Sequence, residues 1–276
     1  APGNRVEADS LCRRRLRRAD CGKRGRGTIL LGVARESLCG GCSRQHVVHG
    51  ASAAVPAGAD AGELIGIGKI GVIVEADLQR AIDEKKPDVM VDFTQPAVVF
   101  GNACLALKNG VRPVIGTTGL SEESKAEIAQ LAGQYNTAAF IAPNFAIGAV
   151  LMMKMAVEAA KYMPHVEIIE MHHDQKLDAP SGTALKTAEM IQQVRDTMAQ
   201  GHPDEVEKVF GARGADIDGM HIHSVRLPGY VAHQEVIFGG LGQTLTIRHD
   251  SIDRTSFMPG VVLACKKIMG LNVGLT

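Results

Sequence analysis

Between Pro87 and Ala142 the chain alternates apolar, β-rich runs with helical runs at short intervals, and this limits the fold more than any other feature. Asp88 to Phe93 predicts a strand, Ala97 to Asn109 a helix stopped by Gly110, and Arg112 to Gly116 a second strand. Ser121 then caps a helix to about Leu131, and Ala138 to Ala142 returns to strand. Strands joined through helices of this length need right-handed crossovers and so build a parallel sheet. Ligands of such sheets bind at the carboxyl ends of the strands. The loops Asp92-Phe93-Thr94 and Gly116-Thr117-Thr118-Gly119 stand at two of those ends. Gly116, Thr117 and Thr118 combine small residues, open backbone and two hydroxyls, enough to hydrogen-bond a carboxamide or a ribose. By residue type alone an ordinary strand-to-helix turn is the plainer reading.

The second informative stretch runs from His165 to Met190, HVEIIEMHHDQKLDAPSGTALKTAEM. Val166, Ile168 and Ile169 belong to a buried strand that ends in acid, sulphur and two adjacent histidines. Asp178-Ala179-Pro180-Ser181-Gly182-Thr183 is turn chemistry, and helical spacing resumes at Ala184. Ser181 is a natural N-cap, so the backbone N–H groups of Gly182 and Thr183 lie at an open helix end that attracts anions. Two imidazoles (His172, His173), an ammonium (Lys176) and an anion-binding helix start therefore fall within a dozen residues. That set implies a carboxylated substrate with a proton donor beside it. A His–His pair and an Asp-Ala-Pro-Ser-Gly loop also occur as plain surface features, and residue types alone do not separate the two.

Elsewhere the pattern is that of a two-domain α/β protein. Ala146 to Met163 is a long apolar, methionine-rich helix that belongs in a core. The helix after the histidine loop runs from Gly182 to about Gln200, followed by a polar loop from Gly201 to Gly219. Met220 to Arg226, Val231 to Phe238 and Leu245 to His249 alternate as strands, which predicts a mostly antiparallel second sheet with helices. His221 and His223 share one face of the first of these; a polar sheet face explains them better than a metal. The last helix spans Phe257 to Met269.

The first 57 residues fit this scheme poorly. Residues 1–50 hold eleven Lys/Arg against four Asp/Glu, and Arg13 to Arg18 is basic with no apolar stripe. Only Thr28 to Ala34 reads as a buried strand. Cys39 and Cys42, with His46 and His49, have ligand types suited to zinc, but their spacing matches no common finger, and no metal is expected. Gly66-Ile67-Gly68-Lys69-Ile70-Gly71 formally matches G-x-G-x-x-G. It neither follows a strand nor opens a helix at once, as a pyrophosphate turn must, so it is read as a decoy. Whole-chain formal net charge is zero, which gives no long-range field toward nucleic acid or membrane. No apolar run approaches the ~20 residues that span a bilayer, and the arginine-rich start is not a signal peptide, so the expectation is a soluble cytoplasmic protein.

Read as one string, E-x-H-H-x-x-K-x-D-A-P-S-G-T-A at Glu170 to Ala184 closely resembles the signature of the 4-hydroxy-tetrahydrodipicolinate reductase (dihydrodipicolinate reductase) family. The resemblance extends from about Asp60 to Leu271 through VDFTQP, VIGTTGL, APNFAIG, HSVRLPG and TIRHDSIDRTSFMPG. It implies a Rossmann-like nucleotide domain from residues 1–143 and 254–276, and an α+β substrate-binding and tetramerisation domain from residues 144–253. It further implies that NADH or NADPH reduces a cyclic dicarboxylate imine to tetrahydrodipicolinate in lysine (diaminopimelate) biosynthesis, within a homotetramer. On this resemblance His172 is the general acid, Lys176 its companion proton donor, and His173 a substrate contact. Ser181, Gly182 and Thr183 take a substrate carboxylate. Phe93, Thr94, Gly116, Thr117, Thr118, Ala142, Pro143, Asn144 and Phe145 contact the cofactor. The glycine-rich pyrophosphate turn that the family carries before residue 58 is missing, and composition changes abruptly near Gly58. An out-of-frame reading of the ancestral coding segment for residues 1 to about 57 accounts for both. Two other readings stay open: a dicarboxylate-binding relic without turnover, and a nucleic-acid-binding basic appendage on the same fold.

Overall fold

The computed structural model describes residues 28–31, 47–49, 57–64 and 66–276. These fall into two compact units, one from the chain up to Ala142 together with Val261–Thr276, the other from Pro143–Gly260.

The first unit is built on seven strands: β1 (Thr28–Leu31), β2 (Val47–His49), β3 (Val74–Glu75), β4 (Val89–Asp92), β5 (Arg112–Ile115), β6 (Ala138–Ile141) and β12 (Gly274–Leu275). Their order in the sheet is β12-β6-β5-β4-β1-β2-β3, and every neighbouring pair is parallel. This is the doubly wound 3-2-1-4-5-6 order with one strand added, and the order reverses between β1 and β4. The strand residues Val89 to Asp92 are buried on both faces, which is why they read as an unbroken apolar run rather than an alternating one.

Before Pro143 the described residues include the helices α1 (Ala61–Leu64), α2 (Leu78–Lys85), α3 (Pro96–Lys108) and α4 (Glu122–Gln134). Asp77 caps α2 by accepting from the Arg80 amide, and Ser121 caps α4 by accepting from Ser124. Val99, Ala103 and Leu107 of α3 pack with Ile128 and Ala132 of α4 over Ile115 and Ala139.

One expectation is corrected here. The strand β2 lies in a segment whose residues gave no sign of a fold, and β1 with β2 supplies strands for the first part of the sheet. Three residues, Val47-Val48-His49, are too short to show a period; pairing with β1 and β3 supplies what the sequence pattern cannot. The cysteines and histidine at Cys39, Cys42 and His46, and the chain between β1 and β2, lie outside the described residues.

The second unit carries a five-stranded sheet of β7 (His165–His172), β8 (Ala215–Ile217), β9 (Met220–Arg226), β10 (Ala232–Gly240) and β11 (Gln243–Ser251), ordered β11-β10-β7-β9-β8. Three of the four pairings are antiparallel and β7 with β9 is parallel. Helices α5 (Ile147–Ala160) and α6 (Gly182–Gln192) cover one face through Met152, Met153, Ala156, Ala184, Ala188 and Ile191. Val166, Ile168, Ile222, Val236 and Phe238 meet them from the strands, so the apolar α5 is core, as its composition predicts.

The α6 helix stops at Gln192, well short of Gln200. Its end coincides with a buried arginine: Arg195 donates to the carbonyls of Pro164, Asp218 and Met198, which turns the chain across the end of the sheet. The closing helix α7 is Met258–Lys267, flanked by short 3₁₀ turns at Arg254–Phe257 and Ile268–Gly270. At the edge of the second unit, a Cβ on Gly260 would lie 1.9 Å from the Phe145 carbonyl oxygen, so only glycine allows these two segments to approach so closely.

Candidate active site

In the second unit the site grows from the last residues of β7. Glu170 and His172 are two residues apart and share a face of the strand, as the period of two requires. Glu170 is fully buried. A carboxylate there costs several kcal/mol unless its lone pairs are filled, and the surrounding residues fill them. Arg226, at the end of the neighbouring β9, donates from Nη1 to Oε2 (2.9 Å) and from Nη2 to Oε1 (2.7 Å). The Ser181 amide donates to Oε1 (3.2 Å), and His172 Nδ1 lies 2.5 Å from Oε2. Burial raises the Glu170 carboxyl, but the hydrogen bonds from His172, Arg226 and Ser224 outweigh it and hold the carboxyl at about 2. Glu170 is thus an ionised acceptor tied to His172, Ser181 and Arg226.

The loop after β7 carries the remaining candidates. His173 is half-buried at the strand end and its carbonyl accepts from the Lys176 amide. Lys176 Nζ sits 2.7 Å from Asp178 Oδ1. Burial raises the Asp178 carboxyl, but the Lys176 hydrogen bond, its own backbone amide and the charges of Lys176 and Arg226 together outweigh it, and the net shift is downward. Arg226 Nη2 also donates to the Asp178 carbonyl (2.8 Å), so one guanidinium pins both the strand end and the loop.

Ser181 caps α6 with its hydroxyl oxygen accepting from Ala184 N (3.2 Å). Leu185 N goes to the Ser181 carbonyl. Among the described residues no protein acceptor takes the amides of Gly182 and Thr183, which remain at the helix start as donors for an anion. Asn144 Nδ2 donates to Thr183 Oγ1 (3.1 Å), and Asn144 Oδ1 accepts from Ala146 N (2.8 Å). Hence Asn144 joins the Pro143-Asn144-Phe145 segment to that helix start. Phe145 is buried and Pro143 is exposed.

In the first unit the candidate loops converge on Asp92, buried at the carboxyl end of β4 beside the strand-order reversal. Its Oδ1 accepts from Thr94 N (2.9 Å), Thr94 Oγ1 (2.7 Å) and Thr117 Oγ1 (3.0 Å), and its Oδ2 from Asn102 Nδ2 (3.0 Å). The Thr94 and Thr117 hydroxyl protons are therefore committed to Asp92, and a ligand meets those oxygens as acceptors. Thr118 is exposed, Ala142 is partly buried, and Phe93 stands at the surface. A Cβ on Gly116 would lie 2.2 Å from the Phe93 ring, so glycine is what lets that ring approach the end of β5. The Gly116 amide itself donates to the Asp92 carbonyl (2.8 Å), so the loops offer acceptor oxygens and an aromatic ring, which suit a carboxamide-bearing nicotinamide ring. In the Gly66–Gly71 loop, Asp60 takes the amides of Ile70 and Gly71, as well as that of Gly62 before the loop, so those donors are already occupied.

Glu170, Arg226 and Asp92 were not among the site residues read from sequence. Glu170 stood within the E-x-H-H string, Arg226 within HSVRLPG and Asp92 in the Asp92-Phe93-Thr94 loop, but Arg226 bonds Glu170 and Asp92 bonds Thr117 across long stretches of chain. His223, singled out with His221 on one strand face, places Nε2 2.8 Å from Glu167.

The comparisons with known proteins concern the chain as a whole. The family model described as dihydrodipicolinate reductase, N-terminus, matches residues 40–145, and that for the C-terminus matches residues 148–276. The likeness thus begins earlier than the break near Gly58. A 4-hydroxy-tetrahydrodipicolinate reductase of Desulfitobacterium hafniense (strain DSM 10664 / DCB-2) is 60% identical over 81% of this chain and 84% of its own. That of Geobacillus thermodenitrificans (strain NG80-2) is 60% identical over 78% and 81%. The dipicolinate-bound dihydrodipicolinate reductase from Paenisporosarcina sp. TG-14 superposes with a TM-score of 0.77 at 45% identity, covering 92% of this chain and 97% of that one. With the buried Glu170–Arg226 pair behind His172 and open amides at Gly182 and Thr183, these likenesses establish that the chain belongs to the dihydrodipicolinate reductase family.

Proposed function

We propose that this chain reduces the cyclic dicarboxylate imine named for its family, dihydrodipicolinate or its 4-hydroxy-tetrahydro precursor, to tetrahydrodipicolinate in lysine (diaminopimelate) biosynthesis. The first unit is its dinucleotide-binding domain and the second its substrate domain. NADH or NADPH supplies the hydride when bound. Phe93, Thr94, Gly116, Thr117, Thr118 and the Ala142 to Phe145 segment hold its nicotinamide side, with Asp92 fixing the two threonine hydroxyls as acceptors.

The protein residues bind the substrate's charge and handle its proton. Gly182 and Thr183 amides receive one substrate carboxylate at the positive end of α6, and Ser181 shapes that turn. His173 contacts the substrate from the end of β7. His172 is the general acid that quenches the electron density left on the ring after reduction. Lys176, paired with Asp178, is the second proton donor and a charge partner for the substrate. The observation that carries this reading is the buried, Arg226-locked Glu170, which binds both the imidazole and the Ser181 amide that opens the carboxylate site.

The assembly proposed is a homotetramer in the cytoplasm. The sheet face opposite α5 and α6, with half-buried Ile169, His223 and Ile237, supports that contact. The test is oxidation of NADH and of NADPH by the purified chain with enzymatically generated substrate, repeated with His172→Ala. Loss of a positioned acid should lower kcat by roughly 10²-fold or more, with pyridine-2,6-dicarboxylate still binding. Near-normal turnover in the variant would remove His172 from the mechanism. Dicarboxylate binding without turnover of either nucleotide in the parent chain would favour the relic.

A further inference from the structure

We propose that Glu170 is a positioning residue: locked by Arg226, its carboxylate keeps a proton on Nδ1 of His172 and leaves Nε2 as the atom that passes a proton to the substrate. The proposal rests on the reading of His172 as the acid. A neutral imidazole carries one proton, on either nitrogen, and its environment decides which. Here Oε2 of Glu170, 2.5 Å from Nδ1, offers only lone pairs. The rest of the same carboxylate is filled by donors, Arg226 Nη1 on Oε2 itself, and Arg226 Nη2 and the Ser181 amide on Oε1. None of these can reverse its role, because a guanidinium and a backbone amide only donate. The directions of the Arg226 and Ser181 bonds are therefore fixed, the Ser224 hydroxyl also donates to the ionised carboxylate, and Nδ1, facing only lone pairs, must be the donor. In the transfer itself the Nε2–H bond breaks, its electron pair stays on Nε2, and the proton goes to the electron-rich substrate ring. The imidazole is left neutral with its proton on Nδ1, and solvent restores the second one.

The geometry makes a sharp statement about Glu170→Gln. The amide has one acceptor oxygen and one donor nitrogen. With the oxygen at the Oε2 position, the NH₂ would face two donors, Arg226 Nη2 and Ser181 N. With the oxygen at the Oε1 position, those two donors are satisfied, and the NH₂ faces Arg226 Nη1 and His172 Nδ1. Only the imidazole can adapt, by turning Nδ1 into an acceptor and moving its proton to Nε2. The second arrangement has one donor–donor conflict against two, so the variant should reverse the tautomer. A protonated His172 would add a further N–H facing the amide, so the acid form is also disfavoured.

The experiment is ¹⁵N NMR of the full-length protein labelled in histidine, with His172 assigned by loss of its signals in His172→Ala. At a pH where the ring is neutral, the parent should show the proton on Nδ1, and Glu170→Gln should show it on Nε2. Turnover of Glu170→Gln should fall by roughly 10²-fold, as for loss of a general acid. Affinity for pyridine-2,6-dicarboxylate should stay close to the parent's, because Ser181 keeps its acceptor; a merely structural role would move both together. If Glu170→Gln does not fold, Glu170→Asp replaces it. The shorter carboxylate keeps Arg226 but withdraws from Nδ1, and the tautomers should mix. An Nδ1 proton retained in full in the folded variant would overturn the proposal. A reversed tautomer with unchanged turnover would instead remove His172 as the acid, leaving the hydrogen-bond argument intact.

Discussion

Replacing Arg226 by methionine tests the energetics of the buried cluster. The substitution keeps much of the side-chain volume and removes the two charge-assisted bonds to Glu170, together with the one to the Asp178 carbonyl. Breaking a buried pair by removing one partner costs roughly 3–5 kcal/mol, because the other charge is left without compensation. The pH linkage gives a similar figure. Glu170 titrates at about 2 against an ordinary 4.5, and at 1.36 kcal/mol per unit that depression corresponds to about 3 kcal/mol of stability. His172 and Ser224 share in it, and the Arg226 side chain is 19% exposed, so the lower end, about 3 kcal/mol, is the expected loss at pH 7. A depressed carboxyl stabilises the fold above its unfolded pKa, and that contribution disappears as pH falls from 4.5 through about 2. The deficit of the variant should therefore be full at pH 7 and narrow through the carboxylate range, where Glu170 becomes neutral and no longer needs its partner. Urea unfolding followed by far-UV circular dichroism measures it, at matched protein concentration because an oligomer's stability depends on it. A deficit below about 1 kcal/mol at pH 7, or one that does not narrow on acidification, would refute the reasoning.

Three further outcomes are expected. In Gly182→Val the backbone has room, since a Cβ there meets nothing within 4 Å, yet the branched side chain stands beside the helix-start donors. Calorimetry should show affinity for pyridine-2,6-dicarboxylate falling by about tenfold or more, the worth of one charge-assisted bond, and unchanged affinity would defeat the anion site. Asp92→Ala leaves the Thr94 and Thr117 hydroxyls without their acceptor and should weaken NADH or NADPH by roughly tenfold in a fluorescence titration; full affinity would detach these loops from the cofactor. Lys176→Ala should lower kcat by roughly 10²-fold or more with a smaller change in substrate affinity, and normal turnover would exclude it as a proton donor.

What the sequence revealed and what it hid follow from the range of the interactions. Ser181 and Ser121 were legible as caps because an N-cap is satisfied within three residues. The strands β4, β5 and β6 were legible from their apolar runs, and β9 was read to the residue because Met220 to Arg226 alternates cleanly. The partners of Glu170 and Thr117 were not: Arg226 lies 56 residues from Glu170, and Thr117 lies 25 from Asp92. Nothing in either neighbourhood signals so distant a partner. The early end of α6 was hidden for the same reason, since the carbonyls that Arg195 binds come partly from Pro164 and Asp218. The strands β2, β8 and β12 span three residues or fewer, below the length at which a period of two can be seen. Thr117 was read as a hydroxyl able to hydrogen-bond a ligand, and the proton it gives to Asp92 shows how a distant neighbour can restrict such a group to the acceptor role.

The near-contact between Gly260 and the Phe145 carbonyl bears on the order in which the chain can assemble. The sheet of the first unit is completed by β12, which pairs with β6 across the whole of the intervening second unit. Closing an unstructured loop on the order of a hundred residues long costs roughly 4 kcal/mol in chain entropy before any contact returns it. The second unit is continuous in sequence and can fold without waiting for residues beyond Gly260. Once it has folded, its first and last residues are clamped side by side, and the long excursion shrinks to a short tether. The late segment then meets its partner strand almost as a local neighbour would. A mutation that unfolds the inserted unit would thus also slow closure of a sheet that belongs to the other unit.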